Sequence, residues 1–154
     1  MLAQPGTYAL IFNSTKKRNI SIGKLGTLQV KSGFYVYVGS AFGPGGLRAR
    51  ISHHKRKSRR PHWHIDYLSP YLQLKEIWYT YDPAYREHEW AGLFSVKGAA
   101  HIPLPGFGSS DCRCKAHLFF FYSRPLIQSF CSKIQNRLSD RGRIFLETVS
   151  SRLN

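Results

Sequence analysis

Apolar positions in this chain alternate first and then fall into a helical period. Thr7 to Phe12 is a short apolar run rich in β-branched and aromatic residues, and Phe34 to Val38 has the same character, so each predicts a strand. Between them Asn19 to Val30, punctuated by Gly23 and Gly26, predicts an extended segment or long hairpin belonging to the same antiparallel sheet. Leu47, Arg50, Ile51 and His54 then recur at helical spacing behind Gly45 and Gly46. Leu47 and Ile51 form the stripe that packs on the sheet, while Arg50 and His54, four apart, are neighbours on one face. His62 to Pro70 reads as a short helix ended by proline, and Leu72 to Thr80 as another strand. Asp82-Pro83 is a helix-start signal, which predicts a helix over Ala84 to Ser95. After a Pro- and Gly-rich loop at 102–110, the apolar run His117 to Tyr122 predicts the strand that closes the fold.

These elements describe an α+β chain, a small, mainly antiparallel sheet flanked by helices. Its 154 residues suit one domain with a single core. Residues 1–122 hold the sheet. Beyond Arg124-Pro125, the spacing of Leu126, Phe130, Ile134 and Leu138 predicts an amphipathic helix, so 123–154 reads as a helical extension that either packs on the domain or dimerises.

Charge narrows the partner. With 23 Lys and Arg against 8 Asp and Glu, the chain carries a formal +15, which points to a polyanion. Arg48, Arg50, Lys55, Arg56, Lys57, Arg59 and Arg60 cluster at the end of the predicted Arg50 helix. If about four of them touch phosphates, raising salt from ~50 to ~200 mM weakens binding about a hundredfold. The competing reading is a solvated basic loop, or a patch against anionic lipid. Three cysteines and no basic-plus-apolar leader argue against a secreted disulfide scaffold and for the cytoplasm, and no apolar stretch is long enough to span a membrane.

A tyrosine, an arginine and a histidine converging beside a basic surface suit phosphodiester chemistry, to which a divalent metal commonly contributes charge. The carboxylates are Asp66, Glu76, Asp82, Glu87, Glu89, Asp111, Asp140 and Glu147, and only Glu87 and Glu89 are close together. Two residues apart on a helix, they point about 200° from each other. The composition therefore favours one metal held by one carboxylate over a two-metal centre.

Gly6-Thr7-Tyr8 and Tyr37-Val38-Gly39, each with one conservative change, together with the Leu47, Arg50, Ile51, His54 helix, resemble the motifs of the GIY-YIG nuclease superfamily. The chain looks most like a prokaryotic branch of it that also carries W-H-I-D-Y-L, here Trp63 to Leu68, and G-F-G-S-S-D-C-x-C-x-x-H, here Gly106 to His117. The resemblance covers residues 5 to 122. One departure is the 28 residues between Tyr8 and Tyr37, more than the commonest pattern has. What it implies is a metal-dependent endonuclease using one Mg²⁺ or Mn²⁺, with DNA favoured over RNA and a role in DNA repair or related processing. In that reading Tyr8 is the general base, Tyr37 orients water or phosphate, and Arg50 holds the scissile phosphate. His54 donates a proton, positions Tyr8 or bonds phosphate, and Glu87, preferred to Glu89 by a Glu-x-x-hydrophobe pattern that turns Trp90 to the core, holds the metal. An unperturbed phenol ionises only about one part in a thousand at pH 7, which makes Tyr8 a demanding base unless nearby cations or metal-bound water offset the cost or its hydroxyl only relays a proton.

Two further constellations carry ligand-type residues. His62, His64 and Asp66 read as a polar network beside the cleft, with His62 and Asp66 on one helix face. Asp111, Cys112, Cys114 and His117 lie between the glycine-rich loop and the start of the closing strand; zinc with Cys131, Asp111 or His101 as fourth ligand is the weaker reading, and buried free thiols the favoured one, because no second Cys or His pair stands at defined spacing. Without a nuclease site the same chain reads as a nucleic-acid-binding module, or as a zinc-stabilised interaction protein.

Overall fold

The structure is a computed structural model that describes residues 1–56, 60–95, 100–137 and 142–150. Its centre is a five-stranded antiparallel sheet. β1 (Thr7–Ser14) lies in the middle, flanked by β4 (Gly33–Ser40) and β5 (Gln73–Thr80), with β6 (Leu118–Phe121) outside β4 and β7 (Ile144–Thr148) outside β5. The α+β class read from the sequence is the one observed.

β2 (Arg18–Ile22) and β3 (Gly26–Val30) form the hairpin expected between the two tyrosine motifs, but as a separate two-stranded sheet. Both edges of β1 are already taken by β4 and β5, so the hairpin has no edge of β1 to join. It stacks instead, burying Ile20, Ile22, Leu28 and Val30 in the same core as Tyr8 and Leu10. α1 (Gly46–Lys55) follows β4, and its Leu47 and Ile51 are buried against that core, each contributing roughly 1.5–3 kcal/mol of burial. α2 (His64–Leu68) runs into a 3-10 turn at Ser69–Tyr71 that contains Pro70.

The opposite side of the sheet is covered by α3 (Glu87–Phe94) and α4 (Ile127–Arg137). Trp90, Ala91, Leu93 and Phe94 pack there with Trp78, Phe119, Phe130 and Ile134; the Phe94 and Phe130 rings stack with centroids 4.9 Å apart and planes 7° from parallel.

Three further sequence expectations are corrected. α3 starts at Glu87, not Ala84, because Asp82 is otherwise engaged: it accepts the Ala84 N–H at 2.9 Å in a local turn and ion-pairs with Arg86 at 2.9 Å. His62 precedes α2 and so shares no helix face with Asp66. Residues 123–154 are also more than a helical extension, since β7 joins the main sheet and Phe145 stacks on Tyr79 at 5.4 Å. In α4, Phe130 and Ile134 are buried as the periodicity requires, Leu126 is exposed, and Leu138 lies outside the described residues. Among the described residues no helix is long and apolar enough to cross a membrane.

Candidate active site

The β1–β4 register places Tyr8 opposite Gly39 and Leu10 opposite Tyr37, so the two tyrosines are diagonal neighbours on one face, ring centroids 6.5 Å apart. Gly39 must lack a side chain, because a Cβ there would overlap the Tyr8 hydroxyl and ring. The preceding motif has the same logic, since a Cβ on Gly6 would overlap the Thr80 carbonyl and Leu47. Both motif glycines therefore serve close packing.

α1 delivers its polar pair onto this face. His54 Nε2 lies 2.7 Å from the Tyr8 hydroxyl, and His54 is 7% exposed. Burial pulls the His54 imidazole down to about 3, so it is neutral at physiological pH. Burial likewise raises the Tyr8 and Tyr37 hydroxyls, against the lowering effect of the nearby Arg50 guanidinium. Both tyrosines therefore rest protonated, and a neutral imidazole beside Tyr8 is placed to accept its O–H. Arg50 is half-buried, with Cζ 4.2 Å from the centre of the Trp63 ring. Trp63 also meets His53 edge-on at 4.9 Å. The position of Trp63 as the shelf under Arg50 depends on tertiary contact between α1 and the start of α2.

Asp66 organises the rim. One carboxylate oxygen accepts the backbone N–H groups of His62 and Trp63 at 2.8 and 3.0 Å, and the other lies 3.1 Å from His53 Nε2. Burial pushes this carboxyl up, but the two N–H donors and His53 outweigh it and hold it below the usual range. His53, His54 and Asp66 are close enough to surround an ion, yet the hydrogen bonds of Asp66 account for that proximity. His64 Nδ1 accepts the Gly108 N–H at 2.9 Å, tying the glycine-rich loop to α2, and Phe107 of that loop is fully buried with its ring edge-on to Tyr37 at 6.2 Å. The loop thus presses on Tyr37 through a side chain the sequence reading had not singled out.

Glu87 opens α3 close enough for its charge to act on both the Tyr8 and Tyr37 hydroxyls. One of its oxygens lies 3.5 Å from His117 Nδ1 and the other accepts the Tyr85 hydroxyl. Burial raises this carboxyl, but the facing His117 and Tyr85 side chains outweigh it and keep it ionised. Glu89 points elsewhere and pairs with Arg86 at 3.1 Å, while Trp90 is buried as expected.

The basic cluster is only partly aligned with the site. Arg48, Arg56 and Arg60 are exposed; Lys55 ion-pairs with Glu147 on β7; Arg56 Nε donates to the Ser52 carbonyl; Lys57 and Arg59 lie outside the described residues. His62 and Asp111 are exposed. Cys112, Cys114 and His117 meet on the loop, together with His88 of α3, which the sequence reading missed. His88 is far from the cysteines along the chain, and no local spacing signals it.

Fold and site together describe a small α+β domain with a tyrosine–histidine–arginine cluster on one sheet face and a basic helix beside it. The family model that matches the chain, Domain of unknown function DUF123, spans residues 7–140, and the chain belongs to that family. The match runs past the motifs to include α4. No curated protein and no solved structure matches the chain.

Proposed function

We propose that the chain is a metal-dependent endonuclease of the GIY-YIG type that hydrolyses phosphodiester bonds, DNA being favoured over RNA. The observation that carries this reading is the Tyr8 hydroxyl 2.7 Å from His54 Nε2, one helical turn from Arg50 on its Trp63 shelf.

Arg50 has the chemistry to hold two oxygens of a scissile phosphate, and its stacking on Trp63 fixes the plane of the fork before substrate arrives. As a water attacks phosphorus, its proton passes to the Tyr8 oxygen while the Tyr8 proton passes to His54 Nε2; the ester P–O bond opposite the water breaks, and the leaving oxygen takes its proton from solvent. No free phenolate is needed, which suits a hydroxyl that burial keeps protonated. His54 is a weak base at rest, but an anionic phosphate on Arg50 raises its basicity, and the charge of Asp66 acts in the same direction. Tyr37, held protonated, donates a hydrogen bond to the phosphate or the water.

The residues fit one Mg²⁺ or Mn²⁺. Glu87 is an ionised carboxylate with a lone pair left on each oxygen, and such ions often take one protein carboxylate with water and phosphate completing the shell. When bound, the ion supplies positive charge at the phosphate oxygens.

A second reading, a nucleic-acid-binding module without turnover, draws on the burial of Tyr8 and Tyr37 at 0% and 6% exposure. The test is cleavage of labelled single-stranded, duplex, flapped and four-way-junction DNAs, and RNA, with Mg²⁺ or Mn²⁺. The proposal expects cutting by the wild type and a loss of about a hundredfold or more in Arg50→Ala and in Glu87→Ala. Salt-sensitive binding without cutting of any substrate favours the binding module.

A further inference from the structure

His88, Cys112, Cys114 and His117 each offer one donor atom, and all four donors lie within 4.8 Å of one another. They come from two elements, α3 and the glycine-rich loop, which share no local sequence pattern. We propose that these four residues bind a structural zinc ion, with Glu87 as the carboxylate that orients His117. The site stands independently of the nuclease reading.

The donor set fits the metal. Two thiols and two imidazoles are the ligands of a closed tetrahedral zinc site, and the softness of sulfur disfavours Mg²⁺ and Ca²⁺. In such a site a sulfur and a nitrogen on the same ion stand about 3.5 Å apart, given zinc bonds of roughly 2.3 and 2.0 Å. Cys112 Sγ and His117 Nε2 are already 3.4 Å apart, so the remaining donors need only a modest contraction. On binding, the two thiols release their protons, and the resulting thiolates cancel the charge of the ion.

His117 supplies the second observation. Its side chain is 2% exposed, and Nδ1 is buried without a hydrogen-bond partner, facing a Glu87 oxygen at 3.5 Å. With Nε2 on the metal, the proton must sit on Nδ1, where it points at an ionised carboxylate. This is the histidine–carboxylate support that metal-binding imidazoles usually have. Tyr85 holds the other oxygen of Glu87. In the bare fold His117 Nε2 meets the Cys112 thiol and Nδ1 has no hydrogen-bond partner among the described residues; with zinc on Nε2, the Nδ1 proton gains the Glu87 carboxylate.

The consequence reaches the active site. The loop is tied at its base by the Gly106 N–H to the Lys115 carbonyl and the His117 N–H to the Phe107 carbonyl, both 2.7 Å, and the His117 carbonyl accepts the Val38 N–H at 2.9 Å next to Tyr37. Zinc would clamp the tip of this loop to α3, fixing Phe107 against Tyr37 and Glu87 at the start of its helix. Glu87 is thus a positioning residue for zinc, whatever else it holds.

The test uses the full chain, expressed in zinc-supplemented medium and purified without chelator. Elemental analysis is expected to find about one zinc per chain, retained on dialysis. The reduced apo chain titrated with Co²⁺ should give the intense visible bands of a tetrahedral site and the near-ultraviolet absorption of thiolate bonded to cobalt. Because cysteine variants could fail to fold, the variants are His88→Ala, at an exposed position, and Glu87→Gln. Replacing His88 should weaken zinc and alter the cobalt spectrum, whereas Glu87→Gln should keep the spectrum and weaken zinc about ten- to hundredfold. Substoichiometric zinc with no tetrahedral cobalt spectrum overturns the proposal, as does a cobalt spectrum unchanged by loss of His88. A nuclease assay is not part of the readout, so an inactive wild type leaves the zinc result standing on its own.

Discussion

The two faces of the five-stranded sheet are built from alternate residues of the same strands, yet they bury very different chemistry. On one face Ala9, Ile11, Val36, Val38, Trp78 and Phe119 meet α3 and α4 in a stack of aromatic rings. Glu76, buried on this face, is met by the Trp78 indole N–H at 2.8 Å and by Arg124. On the other face Tyr8 and Tyr37 lie among His54, Asp66 and the glycine-rich loop. The buried side-chain atoms left without a partner among the described residues, His54 Nδ1, Ser109 Oγ and His117 Nδ1, all belong to that side or its loop. Unmet polar atoms are costly, so their concentration on one face marks it as the place where something other than folding is served. α3 joins the two, with Trp90 and Phe94 in the stacked core and Glu87 at its start within electrostatic reach of the tyrosines.

The sharpest way to break this comparison is to damage each face separately. Trp90→Ala should destabilise the fold by about 3–5 kcal/mol, read in urea unfolding, while the folded fraction at low temperature cuts at close to the wild-type rate. Arg50→Ala should do the reverse, leaving the unfolding midpoint nearly unchanged and removing cleavage. Equal loss of activity in folded Trp90→Ala protein would mean that the faces are not separable.

A smaller effect comes from pH. The folded value of His54, about 3, lies below the ordinary histidine value of about 6.5, so the unfolded chain takes up the proton first. Stability is therefore full above about pH 7 and falls as pH drops through 6.5 toward 3; between pH 7.5 and 5 the loss is about 2 kcal/mol. His64, lowered by burial, adds in the same direction, whereas the contribution of Asp66 is lost only below about pH 4. Urea midpoints across this range should slope less in His54→Gln than in the wild type. Parallel slopes would show that the histidine titrates normally in the fold.

The smallest effect should be that of Glu89→Ala. Its partner Arg86 keeps Asp82, and a surface pair of this kind contributes under about 1 kcal/mol. Stability and cleavage should both stay near wild type, in contrast with Glu87→Ala. A loss of cleavage in Glu89→Ala would reassign the carboxylate.

Much of this was legible in the order of residues. The β-branched runs around Tyr8 and Tyr37 and the Leu47, Arg50, Ile51, His54 period place strand, helix and polar cluster together, because local periodicity decides which face each side chain takes. What stayed hidden depends on distant partners. Asp82 has the form of a helix cap, but Arg86 and the Gly142 N–H compete for its carboxylate. β7 is five residues long and pairs with a strand more than sixty positions earlier, with no hairpin turn to announce it. The role of Trp63 under Arg50 and the arrival of His88 beside Cys112 and Cys114 are likewise products of packing between elements far apart in the chain.

The central claim is that the Tyr8–His54 contact moves a proton during phosphodiester hydrolysis. It is tested most directly by comparing wild type and Tyr8→Phe in single-turnover cleavage of the preferred substrate, with binding and thermal unfolding measured alongside. We expect metal-dependent cutting by the wild type, and in the variant a rate at least about a hundredfold lower with affinity and unfolding temperature little changed. A Tyr8→Phe protein that cuts at the wild-type rate would contradict the claim.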